Sequence, residues 1–288
     1  MIDEGALLPI ALGLFSAVTL AAANMSVKMG SDILVGRAIL SSSAALLILP
    51  AAFFVPAPNA ETWRALLVAI PAHFFYQICL VKAMERGDLS LVFPVMRGAA
   101  PLLTALTALL FLRETLAPWA WAGLLIASAA VISFAVPPNG TRMRDHPDGK
   151  ALLWAVGTAV GISLYNVADA RGVRIAPEPF TFIVWLFLLD CVLITSLAVT
   201  VRRNALARAV AMKWRYGVAA GALSILSFGS ALYAYTLIEA AKVSALRETS
   251  VLFAALMGAL FLGESFGRRR IAAALALGAG LILMQFAG

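Results

Sequence analysis

Residues 103–114 read LTALTALLFLRE, and 150 positions further on residues 253–264 read FAALMGALFLGE. Two other places repeat in the same way. Asn24 and Gly30 return as Asn166 and Gly172 at an offset of 142, and Glu85 and Ser90 return as Glu239 and Ser244 at 154. The offsets drift by a few residues, as loops and single helical turns allow. The chain therefore reads as two related halves, and the fold turns on what each half contains.

Composition decides the solvent. With 62% hydrophobic residues, 13% charged residues and a mean hydropathy of +0.93, the chain is too apolar for a water-soluble domain and reads as a membrane protein. A helix needs about 20 apolar residues to cross a bilayer. Ten runs qualify: Leu7–Val27, Ile33–Val55, Trp63–Val81, Leu89–Leu112, Pro118–Val136, Ala151–Val167, Phe180–Val201, Tyr216–Ile238, Val243–Leu262 and Ile271–Phe286. Their long continuous apolarity excludes barrel strands, which alternate over about ten residues. The longest connections are Pro137–Lys150 and Arg202–Arg215, which leave no room for a soluble domain. The first run carries Asp3 and Glu4 where a signal peptide has positive charge, so it reads as a retained helix.

Ten spans in two halves give five per half. Five is odd, so the second half must enter the membrane inverted relative to the first. The expected fold is an all-α polytopic membrane protein of ten transmembrane helices arranged as two inverted five-helix repeats. Residues 1–137 form the first, 138–149 connect, and 150–288 form the second.

The net charge of +7 is a topology signal. Lys28, Arg37, Lys82, Arg86, Arg142, Arg144, Lys150, Arg202, Arg203, Arg208, Lys213, Arg215 and Arg268 to Arg270 fall on one side of the ten spans. Only Arg64, Arg113, Arg171, Arg174 and Lys242 fall on the other. Cytoplasmic loops carry the excess of Lys and Arg, so both termini are expected outside the cytoplasm, in a multi-pass protein of the cell inner (plasma) membrane. This placement assigns the basicity to topology and anionic lipid, with no nucleic-acid partner. Cys79 and Cys191 lie inside spans and read as small core residues. With two histidines in the chain, zinc chemistry lacks ligands, and no metal or cofactor is expected.

The polar residues within the spans are the candidate machinery. Arg97 lies near the middle of the fourth span, in FPVMRGAAP at 93–101. A central arginine costs about 2.5–3.5 kcal/mol on insertion scales, which a dozen apolar neighbours can offset at about 0.3–0.6 each. The charge must then face protein or water. Pro101 cannot bond the carbonyl of Arg97, and Pro94 cannot bond that of Ser90. Positions 94, 97 and 101 share a helix face, so Pro94 and Pro101 mark a kink or gate beside a cavity-lining or ion-paired Arg97. Arg247 and Glu248 fall about one and a half turns into the ninth span and point in different directions, as an interfacial pair or with one facing the cavity. Asp190 sits mid-way along the seventh span, where it serves either as a proton-coupling acid or as the partner of Arg97 or Arg247.

His73, Tyr76 and Gln77 share a face of the third span, and Tyr165, Asn166 and Asp169 form a polar end on the sixth. Aromatic walls with a few polar groups describe a small-molecule pocket, which makes these residues, with Trp185 and Tyr235, candidate substrate ligands. Ser227 and Ser230 read as helix glue. Ala272, Ala276 and Gly280 recur every four residues on the last span, which suits internal packing in a monomer or a homodimer contact alike.

The run FPVMRGAAPLLTALTALLFLRETL, the following WAGLLIASAAVI, and the degenerate copy VSALRETSVLFAALMGALFLGESF resemble the EamA-type branch of the drug/metabolite transporter superfamily. NMSVK at 24–28 is similar to the Asn-x-x-x-Lys ending of the first helix there. The resemblance covers essentially the whole chain. It implies ten helices in two inverted halves and export of small metabolites, with the YddG-like aromatic amino-acid exporters the nearest characterised class. The acids at the start of this chain and VPAPNAETW after the second span depart from members whose positive charge keeps the termini cytoplasmic.

The leading expectation is a secondary transporter exporting amino acids by alternating access, with Arg97 or Arg247 attracting the substrate carboxylate. The alternative is proton-coupled multidrug or cationic drug efflux, which in small multidrug-resistance proteins needs a glutamate in the first helix. Leu7–Val27 contains no acid. An intramembrane protease needs a serine and a histidine on neighbouring helices, and His73 is the one histidine within a span, so no enzymatic activity is expected. The sequence also makes a channel or receptor a weaker reading.

Overall fold

The computed structural model describes residues 4–28, 32–87, 89–133, 149–253 and 268–286. Gly30, residues 138–148 of the expected linker, and residues 254–264 of the repeated stretch and the ninth span lie outside the described residues.

Nine α-helices are present among the described residues: α1 (Glu4–Lys28), α2 (Ile33–Ile48, extended by a 3-10 turn over Leu49–Phe53), α3 (Ala60–Arg86), α4 (Leu89–Phe111), α5 (Pro118–Ser133), α6 (Gly149–Ile175), α7 (Pro179–Ala234), α8 (Ala240–Arg247) and α9 (Arg268–Phe286). Their starts follow from local chemistry. The Asp32 carboxylate accepts from Val35 N at 3.1 Å, and Asn59 Oδ1 accepts from Thr62 N at 2.8 Å, each satisfying a backbone N–H that the first turn leaves free. Among the described residues five helices are long and apolar enough to cross a bilayer, while the apolar stretches Leu7–Ala23, Pro118–Ser133 and Ile271–Phe286 are shorter.

The seventh and eighth expected spans lie within α7. Its backbone leaves helical geometry at Arg202 and Lys213, at the expected connection. Thr195 Oγ1 lies 2.7 Å from Ser42 Oγ, while Gly221 packs against Ser43 and Ala44, so both limbs meet α2 at one level. A straight helix would separate those residues by about 39 Å, so α7 folds back as a hairpin.

Polarity is arranged inside out. The interior holds Arg97, Arg247, Glu248, His73 and Asp169, while the outer surface shows Leu110 at 73% exposure and Phe54 at 87%. Such a surface is stable only against lipid, and the protein is a multi-pass membrane protein.

Contact registers give the helix directions. Along α3 and α6, His73 meets Asp169, Tyr76 meets Gly161 and Gly87 meets Ala151, so the two run antiparallel. Val92 and Met96 cluster with Ala151 and Ala155, and Thr104 meets Asn166, so α4 runs parallel to α6. Asp32 meets Arg202 and Ser41 meets Asp190, so α2 opposes the first limb of α7. Gly123 abuts Gly280, and Ala127 does too, at distances that leave no room for a side chain on either glycine. Gly280 of the small-residue stripe therefore packs against α5.

These registers separate two ends of the bundle. One holds the end of α1, the start of α2, the end of α3, the starts of α4 and α6 and the bend of α7, with Lys82, Arg86, Lys150, Arg202, Arg203, Arg208, Lys213 and Arg215. The other holds the α4–α5 connection, the end of α6 and the α7–α8 turn.

Candidate functional site

A cavity lies between the middle of the bundle and its basic end. It is lined by residues of α1, α2, α3, α6, α7 and α8. Its charged and polar wall includes Arg37, Ser41, His73, Asp190, Ser224 and Arg247. Tyr76, Tyr165, Phe187 and Phe228 supply rings.

The rings form one connected group. His73 stacks on Tyr165 with centroids 4.3 Å apart, Tyr76 meets Tyr165 edge-on at 5.1 Å, and Phe228 meets Tyr165 at 5.8 Å and Phe187 at 6.0 Å. Edge-to-face pairs at these separations are mutually attractive, so the aromatic wall is held in place without a ligand. Two guanidinium groups cap it. Arg37 lies over Tyr76 at 5.6 Å and Arg247 over Phe228 at 5.2 Å. Among the described residues neither arginine forms an ion pair with a carboxylate. Nε of each is buried and lacks a hydrogen-bond partner among the described residues.

Asp190 is the acid on the cavity wall. Its Oδ1 accepts from Gln77 Nε2 at 3.0 Å and its Oδ2 from Ser41 Oγ at 3.3 Å, so α2 and α3 together aim a carboxylate carried by α7. His73 Nδ1 lies 3.9 Å from Asp190 Oδ1, and His73 Nε2 lies 2.9 Å from Asp169 Oδ2. Among the described residues no group of three or more His, Cys, Asp or Glu side chains is arranged to hold a metal ion.

Of the residues singled out from sequence, His73, Tyr76, Tyr165, Arg247 and Asp190 converge on the cavity. Gln77 stands behind Asp190 as its donor. Asn166 and Tyr235 lie together elsewhere: Tyr235 OH donates to Asn166 Oδ1 at 2.8 Å, and Asn166 Nδ2 donates to Thr104 Oγ1 at 3.1 Å and Ser244 Oγ at 3.2 Å. That buried knot ties α4, α6 and α8 together. Trp185 packs edge-on against Trp63 at 5.3 Å, away from the cavity wall. Ser227 lines the cavity and also donates to Ser16 O at 2.8 Å, gluing α1 to α7.

Arg97 is turned into protein. Its Nε lies 3.1 Å from Glu248 Oε2, an ion contact in which the N–H does not aim straight at the oxygen, and its Nη2 donates to Arg247 O and Ser250 Oγ, each at 3.2 Å. Pro94 and Pro101, on the same face, are buried with it inside a helix that runs on to Phe111. The α4 face joins α4 to the start of the ninth span, while Arg37 and Arg247 are the cations on the cavity wall.

Sequence reading missed Arg37, Phe187 and Phe228 as wall residues and counted Arg37 with the loop cations. Its position within an apolar run, after Ile33 and Leu34 and before Ala38 and Ile39, was the available signal. Nothing in the order of residues singles out the two phenylalanines among 16.

At the opposite end, Glu114, which closes the opening stretch, forms a second polar knot. Arg174 Nη1 lies 2.5 Å from Glu114 Oε1, and Arg174 also donates to Tyr235 O and Ile238 O at 2.7 and 3.1 Å. Glu114 Oε2 accepts from Ala240 N at 2.9 Å, satisfying a backbone donor at the start of α8. The α4–α5 connection is thereby locked to the ends of α6 and α7.

A family model described as the EamA-like transporter family matches residues 4–136 and again 149–286. A solved structure described only as "Crystal structure of protein" is similar over 98% of this chain and 96% of that one, at 19% sequence identity and a TM-score of 0.75, which is a likeness of fold. No curated protein matches the chain.

Proposed function

The chain belongs to the EamA-like transporter family, and on that premise we propose that it exports amino acids with apolar or aromatic side chains across the inner membrane. The family is one of membrane transporters of small substrates, and the amino-acid specificity is our reading of the cavity wall. One observation carries it: two arginines without carboxylate partners among the described residues, one held carboxylate and four rings face the same space. A zwitterion offers a carboxylate to the arginines and an ammonium to Asp190, and its side chain fills the aromatic part.

Movement follows from two five-helix halves related by inversion, an arrangement supported by the two matched regions and by the opposed course of α3 and α6. The cavity reaches toward the basic end, which the charge bias assigns to the cytoplasm with both termini outside. The Glu114–Arg174 knot closes the other end, so substrate enters from the cytoplasm and leaves when the halves rock and that knot opens.

The test is flux of labelled phenylalanine, alanine and a lipophilic cation in proteoliposomes. Phenylalanine exchange supports the reading. Transport of the lipophilic cation alone overturns it in favour of cationic drug efflux, a reading that the arginines at the cavity oppose.

A further inference from the structure

We propose that His73 Nδ1 is a proton site and that a proton there and the substrate ammonium exclude one another by sharing Asp190, which makes export an exchange for an inward-moving proton. This rests on the amino-acid reading of the cavity given above.

The inference starts at Asp169. Its side chain is fully buried on α6, and Oδ2 meets His73 Nε2 at 2.9 Å while Oδ1 has no hydrogen-bond partner among the described residues. A carboxylate can only accept, so Nε2 carries the hydrogen of that bond and the imidazole is held in one tautomer. The basic nitrogen is then Nδ1, which faces Asp190 Oδ1 at 3.9 Å. That separation is too long for a direct hydrogen bond and suits a contact that closes when Nδ1 gains a proton. Gln77 and Ser41 hold Asp190 with its side chain 18% exposed on the cavity wall. The same oxygen is therefore within reach of an imidazolium on α3 and of an ammonium in the cavity.

The groups facing His73 on the surrounding helices are Arg37 of α2, Tyr76 on its own α3, Tyr165 and Asp169 of α6, Asp190 of α7 and Arg247 of α8. The two acids and the two arginines cancel in formal charge, so each cation brought to the shared carboxylate adds one positive charge and a second is opposed by the first.

The cycle balances. On the cytoplasmic side the substrate ammonium takes Asp190, and the Nδ1 proton departs to cytoplasmic water. After the halves switch, the substrate leaves, and a proton from the outer water binds Nδ1. The carrier returns with that proton, so one substrate moves out for one proton in. Ionisable groups buried at membrane depth are expensive, and proton relays are where they are used.

The experiment uses the full chain in proteoliposomes containing a trapped pH-sensitive dye, with membrane potential clamped and labelled phenylalanine as probe. Acid-inside vesicles should accumulate phenylalanine about tenfold per pH unit, with internal alkalinisation. His73→Gln, which keeps a donor toward Asp169, should lose the accumulation and the internal alkalinisation, read as the ratio of gradient-driven to exchange flux in the same vesicles. Exchange by the natural protein without any response to the gradient overturns the proton site and leaves amino-acid transport standing. Loss of exchange in the natural protein removes both readings. Gradient-driven accumulation that survives in His73→Gln overturns the assignment to His73. If that variant fails to insert, the gradient response of the natural protein decides.

Discussion

Arg97 Nη2 donates to the main-chain oxygen of Arg247, the residue 150 positions further on and its counterpart in the repeated sequence. The two arginines occupy matching places in their stretches and have opposite fates. Arg97 is neutralised by Glu248, next along the chain from Arg247, while Arg247 itself turns over Phe228 at the cavity. The repeat thus supplies two cations at one crossing of helices, one paired inside the protein and one on the cavity wall.

Arg97→Ala should destabilise the protein by about 3–5 kcal/mol, because it leaves the carboxylate of Glu248 buried without its cation. Thermal unfolding in detergent measures this. The double change Arg97→Met with Glu248→Leu should recover most of the loss, since replacing a whole buried pair by apolar groups is close to neutral. A single variant as stable as the natural protein would contradict the assembly role.

Arg247→Ala should raise KM for phenylalanine about 10- to 100-fold, the value of a charge-assisted hydrogen bond worth about 1.5–3 kcal/mol. Phenethylamine, which lacks the carboxylate, should bind the two proteins equally. Competition measurements with both compounds separate a lost contact from a collapsed cavity.

Phe228→Ala removes a ring that touches Tyr165, Phe187 and His73. Ring pairs contribute about 0.5–1.5 kcal/mol beyond area, so affinity for phenylalanine should fall roughly 2- to 10-fold, and affinity for alanine should change little. Side-by-side KM values for the two substrates check this, and an equal loss for both would argue against an aromatic subsite.

Glu114→Gln should loosen the closed end. The pair with Arg174 is partly exposed, which limits its worth to on the order of 1 kcal/mol, or about fivefold in population. With Cys79 and Cys191 replaced by alanine and Ser224→Cys as reporter, an impermeant maleimide added at that end should react about five times faster in the variant. An unchanged rate would remove the knot from gating.

Gly123→Ala should destabilise by about 1–3 kcal/mol, because an added Cβ would lie 2.5 Å from the carbonyl oxygen of Gly280 and 2.6 Å from Met284 N. These are backbone atoms of a packed helix and cannot swing aside. Detergent melting temperatures of Gly123→Ala and Gly280→Ala should fall together.

Much of the architecture was legible in one dimension, since apolarity sustained for some 20 residues has one stable solution in lipid. The segmentation into helices, the two distinct ends and the basic bias of one of them follow from composition and charge placement. Among candidate ligands, His73, Tyr76, Tyr165, Asp190 and Arg247 were recognisable because each is a polar or aromatic group at a depth where its insertion needs a reason.

Partnership was decided by the tertiary structure. Helical periodicity says which residues of one helix share a face, and it is silent on which face of another helix they meet. That is why Arg97 proved to belong with Glu248 and Asn166 with Tyr235, away from the cavity. It is also why Arg37 and Phe228, ordinary in their own stretches, came to stand beside Tyr76 and Arg247. The sequence by itself determined that charged groups are buried in an apolar bundle. Which of them cancel and which stay open to a ligand depends on distances of a few ångströms between helices far apart in the chain, and only the packing of those helices sets them.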